Sequence, residues 1–243
     1  MGGMARRILV LFAREPGREA RAKGFPSREG ADLFAGFAAG WLDAARRAGA
    51  QLAIATPPED RAAWRRRFSV LEEPLWLIQR GSSFGERLER TARGAASLGA
   101  NAVLVGGDVL PSPETLEEAF RALETGASAV LAPTPDGGVS LVGLEPGDAD
   151  LLRAIAPRRR DVFKRLSRRL AARGRRAHVV GVAPDVDSRR ELRFLLRAFP
   201  LTESLRRAAR RVLFRVVGLT VTDRVFPRFW IPATPSGLRA PPE

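Results

Sequence analysis

Short apolar runs alternate with segments of helical period from residue 7 to residue 198. The runs at 7–13, 51–55, 75–78, 102–105, 127–132, 139–144 and 177–182 read as strands. Segments 29–48, 59–68, 84–98, 113–124, 148–155, 160–173 and 188–198 read as helices. Such alternation predicts an α/β domain, with a mostly parallel, Rossmann-like sheet and helices on both faces. Residues 14–28 read as a turn-rich basic loop after the first strand.

Local signals support these elements. Leu33, Phe34, Phe37, Trp41, Leu42 and Ala45 fall near helical spacing. Pro57-Pro58 stops the second strand. Ser112 is a helix N-cap, with Pro113 at the first helical position and Glu114 in the first turn. The 243 residues, 45% hydrophobic and 28% charged, suit one substantial domain with an appendage. Composition changes near Phe199-Pro200, so the expected domain is 1–199, followed by a basic helix and Pro-rich tail over 200–243. Arginines precede Ile8-Leu9-Val10-Leu11-Phe12, but this run is too short for a secretory signal and reads as a buried strand. No run is long enough to span a bilayer, and the expected location is the cytoplasm. The absence of cysteine excludes disulfides and thiolate metal sites.

Net charge is +14, almost all of it from arginine; Lys23 and Lys164 are the only lysines. This balance suits phosphorylated substrates, anionic lipid or nucleic acid, and equally a coding bias toward arginine. No basic segment is interleaved with aromatic residues, so nucleic acid is not expected as a partner.

Three acidic motifs stand at or near the ends of apolar runs: Gly106-Gly107-Asp108, Asp136-Gly137-Gly138 and Asp185-Val186-Asp187. Open α/β sheets bind ligands in the crevice beyond their strand ends. Asp108, after two glycines, can hold Mg²⁺ or Mn²⁺ alongside substrate phosphates. Its alternative role as a helix cap is weakened by Ser112. Asp185 and Asp187 point the same way if extended and can share a metal, or the segment is a turn leading to an N-cap, with Ser188 or Asp187 capping helix 188–198. Asp136-Gly137-Gly138 is either a β-turn or a set of backbone donors for an anion.

The loop after the first strand offers Arg14, Arg18, Arg21 and Lys23 as donors to phosphate, with Gly17 allowing close approach. It has neither Walker nor Gly-x-Gly-x-x-Gly spacing. After the third strand, Gly81 and Gly85 permit close approach, and Gln79 and Arg87 can bind a base or phosphate. His178, the only histidine, reads as structural, which leaves no nucleophile–histidine arrangement.

These motifs, in this order, resemble the nucleotide-diphospho-sugar transferase superfamily, the GT-A fold. They look closest to its bacterial branch of uncharacterised glycosyltransferases, neighbours of the molybdenum-cofactor and phospholactate guanylyltransferases. The matching pieces are Leu11-Phe12-Ala13-Arg14-Glu15-Pro16-Gly17, Gln79-x-Gly81-x-x-x-Gly85-x-Arg87-Leu88, Gly106-Gly107-Asp108-x-x-Pro111, Pro133-x-x-Asp136-Gly137-Gly138 and Asp185-Val186-Asp187-Ser188. They span about residues 6–197. The resemblance implies a nucleotide bound by the first loop and the Gln79 region. It implies a metal at Asp108, Asp185 and Asp187, and a second substrate facing Asp136-Gly137-Gly138. The family's Lys-Thr-Arg after Pro-Gly is replaced by Ala20-Arg21-Ala22, with Arg21 and Lys23 as substitutes one register away.

The expected function is a metal-dependent transferase with a nucleotide-activated donor, a nucleotide-sugar first and a nucleoside triphosphate as the alternative. Asp108 and Asp136 are the catalytic candidates, Asp136 as the base. The acceptor is a small molecule or a lipid-linked hydroxyl or phosphate. A binding protein on a decayed transferase fold is the non-catalytic alternative. Residues 201–219 read as an amphipathic basic helix, suited to anionic lipid or to packing its apolar side on the domain. The second use is preferred, with Phe226, Phe229, Trp230 and Ile231 as a docked tail.

Overall fold

The computed structural model describes residues 6–67, 74–98, 100–156 and 160–214. The expected tail, including Phe226, Phe229, Trp230 and Ile231, and the last five residues of the 201–219 helix lie outside these residues. Seven strands form one sheet: β1 (Arg6–Phe12), β2 (Gln51–Thr56), β3 (Leu75–Ile78), β4 (Ala100–Gly106), β5 (Ala129–Pro133), β6 (Val139–Leu144) and β7 (Ala177–Val179). Their order is β3-β2-β1-β4-β6-β5-β7. β6 runs antiparallel to β4 and β5, and every other pairing is parallel.

Alternation along the central strands divides the core into two layers. Leu9 and Leu11 of β1, Ile54 of β2 and Val103 and Val105 of β4 face one side. There they pack against Trp41 of α2 (Ser27–Arg47), Trp64 of α3 (Arg61–Arg67) and Phe120 of α5 (Pro113–Glu124). Ile8, Val10, Ala53 and Leu104 face the other side. They meet Leu88 of α4 (Phe84–Ala96), Leu152 of the 3₁₀ segment Pro146–Ala154, and Leu166 of α6 (Val162–Ala172). The expected architecture, a mostly parallel sheet covered on both faces, is the one observed.

Four local expectations are corrected. The basic loop 14–28 contains a helix, α1 (Pro16–Ala22), and the start of α2. Glu15 caps α1 by accepting the Arg18 N–H at 3.0 Å, and Pro16 fits the first helical position because its missing N–H would find no partner there. The helix expected at 148–155 is the 3₁₀ segment, and β7 is shorter than the run 177–182. The basic helix begins at Glu203, as α8 (Glu203–Phe214). Its apolar stripe, Leu205, Ala208, Ala209 and Val212, is buried with Phe34 and Phe37 of α2 and with Leu192 and Leu195 of α7 (Arg189–Ala198). Over residues 203–214 that stripe is therefore occupied by protein. No helix among the described residues is long and apolar enough to cross a membrane.

Two glycines of α4 show how packing and propensity separate. A Cβ on Gly85 would stand 2.2 Å from the Arg153 carbonyl oxygen, so its absence lets α4 lie against the 3₁₀ segment. A Cβ on Gly94 would find its nearest neighbour, Leu77 Cδ2, at 3.9 Å. Gly85→Ala is expected to destabilise the protein by about 1–3 kcal/mol in urea denaturation. Gly94→Ala is expected to stabilise it by up to about 1 kcal/mol.

Candidate active site

The chain passes from β1 outward to β2 and β3, then returns to place β4 on the other side of β1. That reversal opens a crevice beyond the carboxyl ends of β1 and β4. β1 delivers α1 to it, and β4 delivers Gly106-Gly107-Asp108. The Asp108 turn is tightly held. Gly107 donates to the Phe12 carbonyl at 3.2 Å, and a Cβ on Gly107 would stand 2.4 Å from Ala13 Cβ. Trp41, fully buried on α2, donates its indole N–H to the Val109 carbonyl at 2.9 Å.

The third acidic motif joins this turn through a short antiparallel bridge between Val109 and Asp185. Leu110 N–H donates to the Pro184 carbonyl at 2.9 Å, and Val186 N–H to the Asp108 carbonyl at 3.0 Å. Val186 is fully buried in the apolar cluster under α7 and α8, while its neighbours Asp185 and Asp187 are not. Alternation thus turns Asp185 and Asp187 away from the core toward Asp108. Ser188 caps α7, with its hydroxyl accepting the Glu191 N–H. The capping reading of this motif is therefore realised, by Ser188.

Lys23, at the end of α1, enters the same corner. Its ammonium lies 2.5 Å from Asp108 Oδ2, pairs with Asp187 Oδ1, and lies 3.5 Å from Glu19 Oε1. The side chain is only 8% exposed. Burial opposes its charge, but Asp108, Asp187 and Glu19 outweigh burial and raise its pKa, so it is a cation at neutral pH. Glu19 is itself buried, which raises its pKa, and Asp108 adds to the rise; Lys23 and Arg14 act the other way. Asp185 is pushed up to about 7, first by burial and then by Asp108 and Asp187, with a smaller contribution from Asp136. Carboxylates of the first and third motifs therefore share one electrostatic environment.

The other candidates are placed as follows. Arg14 pairs with Glu19 Oε2 at 3.0 Å, and Arg18 turns away to Asp60 Oδ1 at 2.6 Å and Glu59 at 2.9 Å. Gly17 is buried in α1, and Arg21 is exposed. Gln79 is buried at the end of β3, donating its side-chain amide to the Ala55 carbonyl at 2.8 Å. Gly81 has φ +141°, which makes the turn into α4 a glycine position, and Arg87 lies on α4. Asp136 is exposed and accepts from the Thr134 hydroxyl and, at 3.1 Å, from Gly138 N–H. A Cβ on Gly137 would stand 2.1 Å from the Arg160 carbonyl oxygen. Among the described residues, no three acidic or histidine side chains are posed to enclose a metal ion. Glu19 and Trp41 are the participants that sequence reasoning missed. The i,i+4 spacing of Glu19 and Lys23 was the available signal for the former, once 16–22 is seen as helix.

This fold is shared with nucleotide-diphospho-sugar transferases and nucleotidyltransferases. A candidate nucleotide-diphospho-sugar transferase from Desulfovibrio desulfuricans G20 superposes with a TM-score of 0.73, at 22% identity, over 86% of this chain and 95% of that one. The inositol-1-phosphate CTP transferase of T. maritima superposes at 0.55 and 11% identity, over 88% of this chain and 99% of that one. The 4-diphosphocytidyl-2C-methyl-D-erythritol synthase of Anaerococcus prevotii DSM 20548 gives 0.52 and 11%, over 78% of this chain and 94% of that one. By sequence, the chain belongs to the family described as "Uncharacterized protein conserved in bacteria (DUF2064)", whose model matches residues 41–185. No curated protein matches the sequence.

Asp185 gives a pH prediction. Its folded-state pKa lies above its unfolded one, so the stability it contributes when protonated is complete below about pH 4 and lost as pH rises through about 7. In chelator-containing buffer, Asp185→Asn is expected to raise Tm at pH 8 and to leave it nearly unchanged at pH 4.5. Equal Tm gains at both values by scanning calorimetry would contradict this. Trp41→Phe is expected to cost about 1–3 kcal/mol by leaving the Val109 carbonyl buried and unpaired, measured by urea denaturation at pH 7.

Proposed function

We propose that the protein is a metal-dependent transferase using a nucleotide-activated donor. The observation that carries this reading is the convergence of Asp108, Asp185 and Asp187 beside a buried cation at the β1/β4 crevice. The fold shared with nucleotide-using transferases supports it. A magnesium or manganese ion fits the chemistry of these residues. The three aspartates form an oxygen-only donor set suited to a hard divalent ion. The Asp185 carboxyl is raised first by its burial and then by the neighbouring Asp108 and Asp187. Asp108, Asp185 and Asp187 would hold the ion, which would neutralise charge on a leaving diphosphate.

The chain's own residues supply the rest. Arg14, Arg21 and Lys23 line the α1 side and can donate to phosphate oxygens. Gly17 lies in α1, while Gly81 and Gly85 shape the start of α4 after β3, where Gln79 and Arg87 also lie. In this reading Arg18 serves chiefly to anchor α1 on Asp60, which also accepts the Glu15 N–H at 2.9 Å. The Asp136-Gly137-Gly138 turn faces the acceptor.

Glycosyl transfer from a nucleotide-sugar to a hydroxyl is the first assignment, with Asp136 as base. Asp136 Oδ1 accepts from Thr134 and Gly138, which leaves Oδ2 to take the proton. Nucleotidyl transfer is the alternative. A phosphate nucleophile is already anionic and needs no such base. The acceptor is a small molecule or a lipid-linked group. A basic surface for anionic lipid would have to involve exposed arginines rather than the buried stripe of α8, and the reaction would take place on the cytoplasmic side.

Isothermal calorimetry with nucleoside di- and triphosphates and UDP- and GDP-sugars, with and without Mn²⁺, tests this proposal. Metal-dependent binding of at least one compound is expected, as is its loss by tenfold or more in a folded Asp108→Asn protein. Absence of metal-dependent binding throughout the panel would leave only the non-catalytic alternative. Nucleoside triphosphates binding while every nucleotide-sugar fails would move the assignment to nucleotidyl transfer.

A further inference from the structure

Lys23 holds the position that a metal ion would need. Its ammonium bridges Asp108 and Asp187, two of the three proposed metal-holding carboxylates, and its third acidic neighbour is Glu19. Of the neighbouring cations, Arg14 pairs with Glu19, and Arg18 with Asp60 and Glu59. Lys23 reaches the corner from beneath: its ammonium lies 5.9 Å from the centre of the Phe34 ring, itself stacked on Phe25. The ammonium thus sits between an aromatic ring and the carboxylates. The ammonium contacts one oxygen of each aspartate, so a divalent ion bound to those two oxygens would compete with it. Two cations crowded at that spacing would also repel one another.

Resting on the transferase reading, we propose that Lys23 is the resident cation of this corner before a metal ion binds. In this view Lys23 and the divalent ion hold the Asp108–Asp187 position in turn. A diphosphate arriving with the metal gives the displaced ammonium a new anionic partner, for which Lys23 is already aimed at the crevice. Metal and diphosphate then bind as a coupled pair, each raising the affinity for the other, with Lys23 as the coupling element. This differs from a plain phosphate-binding lysine, whose removal would weaken diphosphate binding without strengthening metal binding.

Two measurements test it. The first follows free Mn²⁺ by electron paramagnetic resonance in titrations of the full-length protein and of Lys23→Met, both without nucleotide and both checked for folding by circular dichroism. The expected result is at least tenfold tighter Mn²⁺ binding by Lys23→Met. Equal or weaker binding by the variant overturns the proposal. The second uses unmodified sequence, so it stands even if the variant does not fold. With only two lysines in the chain, ¹⁵N-lysine labelling gives one reporter at Lys23 and an internal reference at Lys164. Adding Mg²⁺ with inorganic pyrophosphate is expected to shift the Lys23 ammonium resonance and to leave Lys164 unmoved. A Lys23 signal that stays fixed while calorimetry shows Mg²⁺–pyrophosphate bound overturns the resident-cation proposal and leaves the transferase reading standing. No metal bound in any arm overturns both.

Discussion

Carboxylates of Asp108, Asp187 and Glu19 surround the Lys23 ammonium at one corner of the sheet, with Asp185 coupled to them. Two like unit charges 4 Å apart repel by about 4 kcal/mol at the effective dielectric near a protein surface. That is a large part of the roughly 5–15 kcal/mol that stabilises a domain. Such a corner therefore exists only around a cation. Lys23 supplies it, and its burial is tolerated because three acids outweigh the desolvation. What the site can bind next follows from the same balance, because one positive charge does not neutralise the gathered carboxylates.

The scaffold makes this crowding rigid. Three separate stretches of chain meet there, and each is tied by backbone or buried contacts rather than by the ion pairs alone. The Asp108 turn is pinned to β1 through Gly107 and to α2 through Trp41. The Asp185–Asp187 segment is zipped to that turn by two backbone hydrogen bonds, with Val186 as its apolar anchor. α1 is capped by Glu15 and tied to the β2 side by Asp60. Fixing donors and charges before a ligand arrives is the arrangement by which active sites stabilise developing charge.

Much of the sheet could be read from the chain because its strands are apolar runs closed by glycine, proline or aspartate, as at Val103–Asp108. The acidic half of the site was legible for the same reason: strand ends announce themselves. The basic half was not. Pro16, Gly17, Gly24 and Pro26 made residues 14–28 look like loop. Pro16 in fact starts α1, and Gly24, with φ +68°, follows its C-terminus. Without that helix, the Glu19–Lys23 pair has no visible spacing, and Lys23 reads as one of several phosphate donors. The partnership with Asp108 spans 85 positions and arises only from the fold. Trp41 was read as core, and it is; its second task, holding Val109, depends on a loop from another strand. For Gly85, the glycine is explained by its contact with Arg153, a long-range packing need that no local pattern carries.

In the proposed mechanism the Asp108 corner exchanges its own cation for a divalent one when a nucleotide binds. Diffraction at the manganese absorption edge, from crystals grown with Mn²⁺ and a nonhydrolysable nucleotide, addresses that exchange directly. The account predicts an anomalous peak bonded to Asp108 and Asp187 oxygens, with the Lys23 ammonium withdrawn from both and turned to phosphate. A bound nucleotide with Lys23 still between the two aspartates and no manganese at that corner would contradict it.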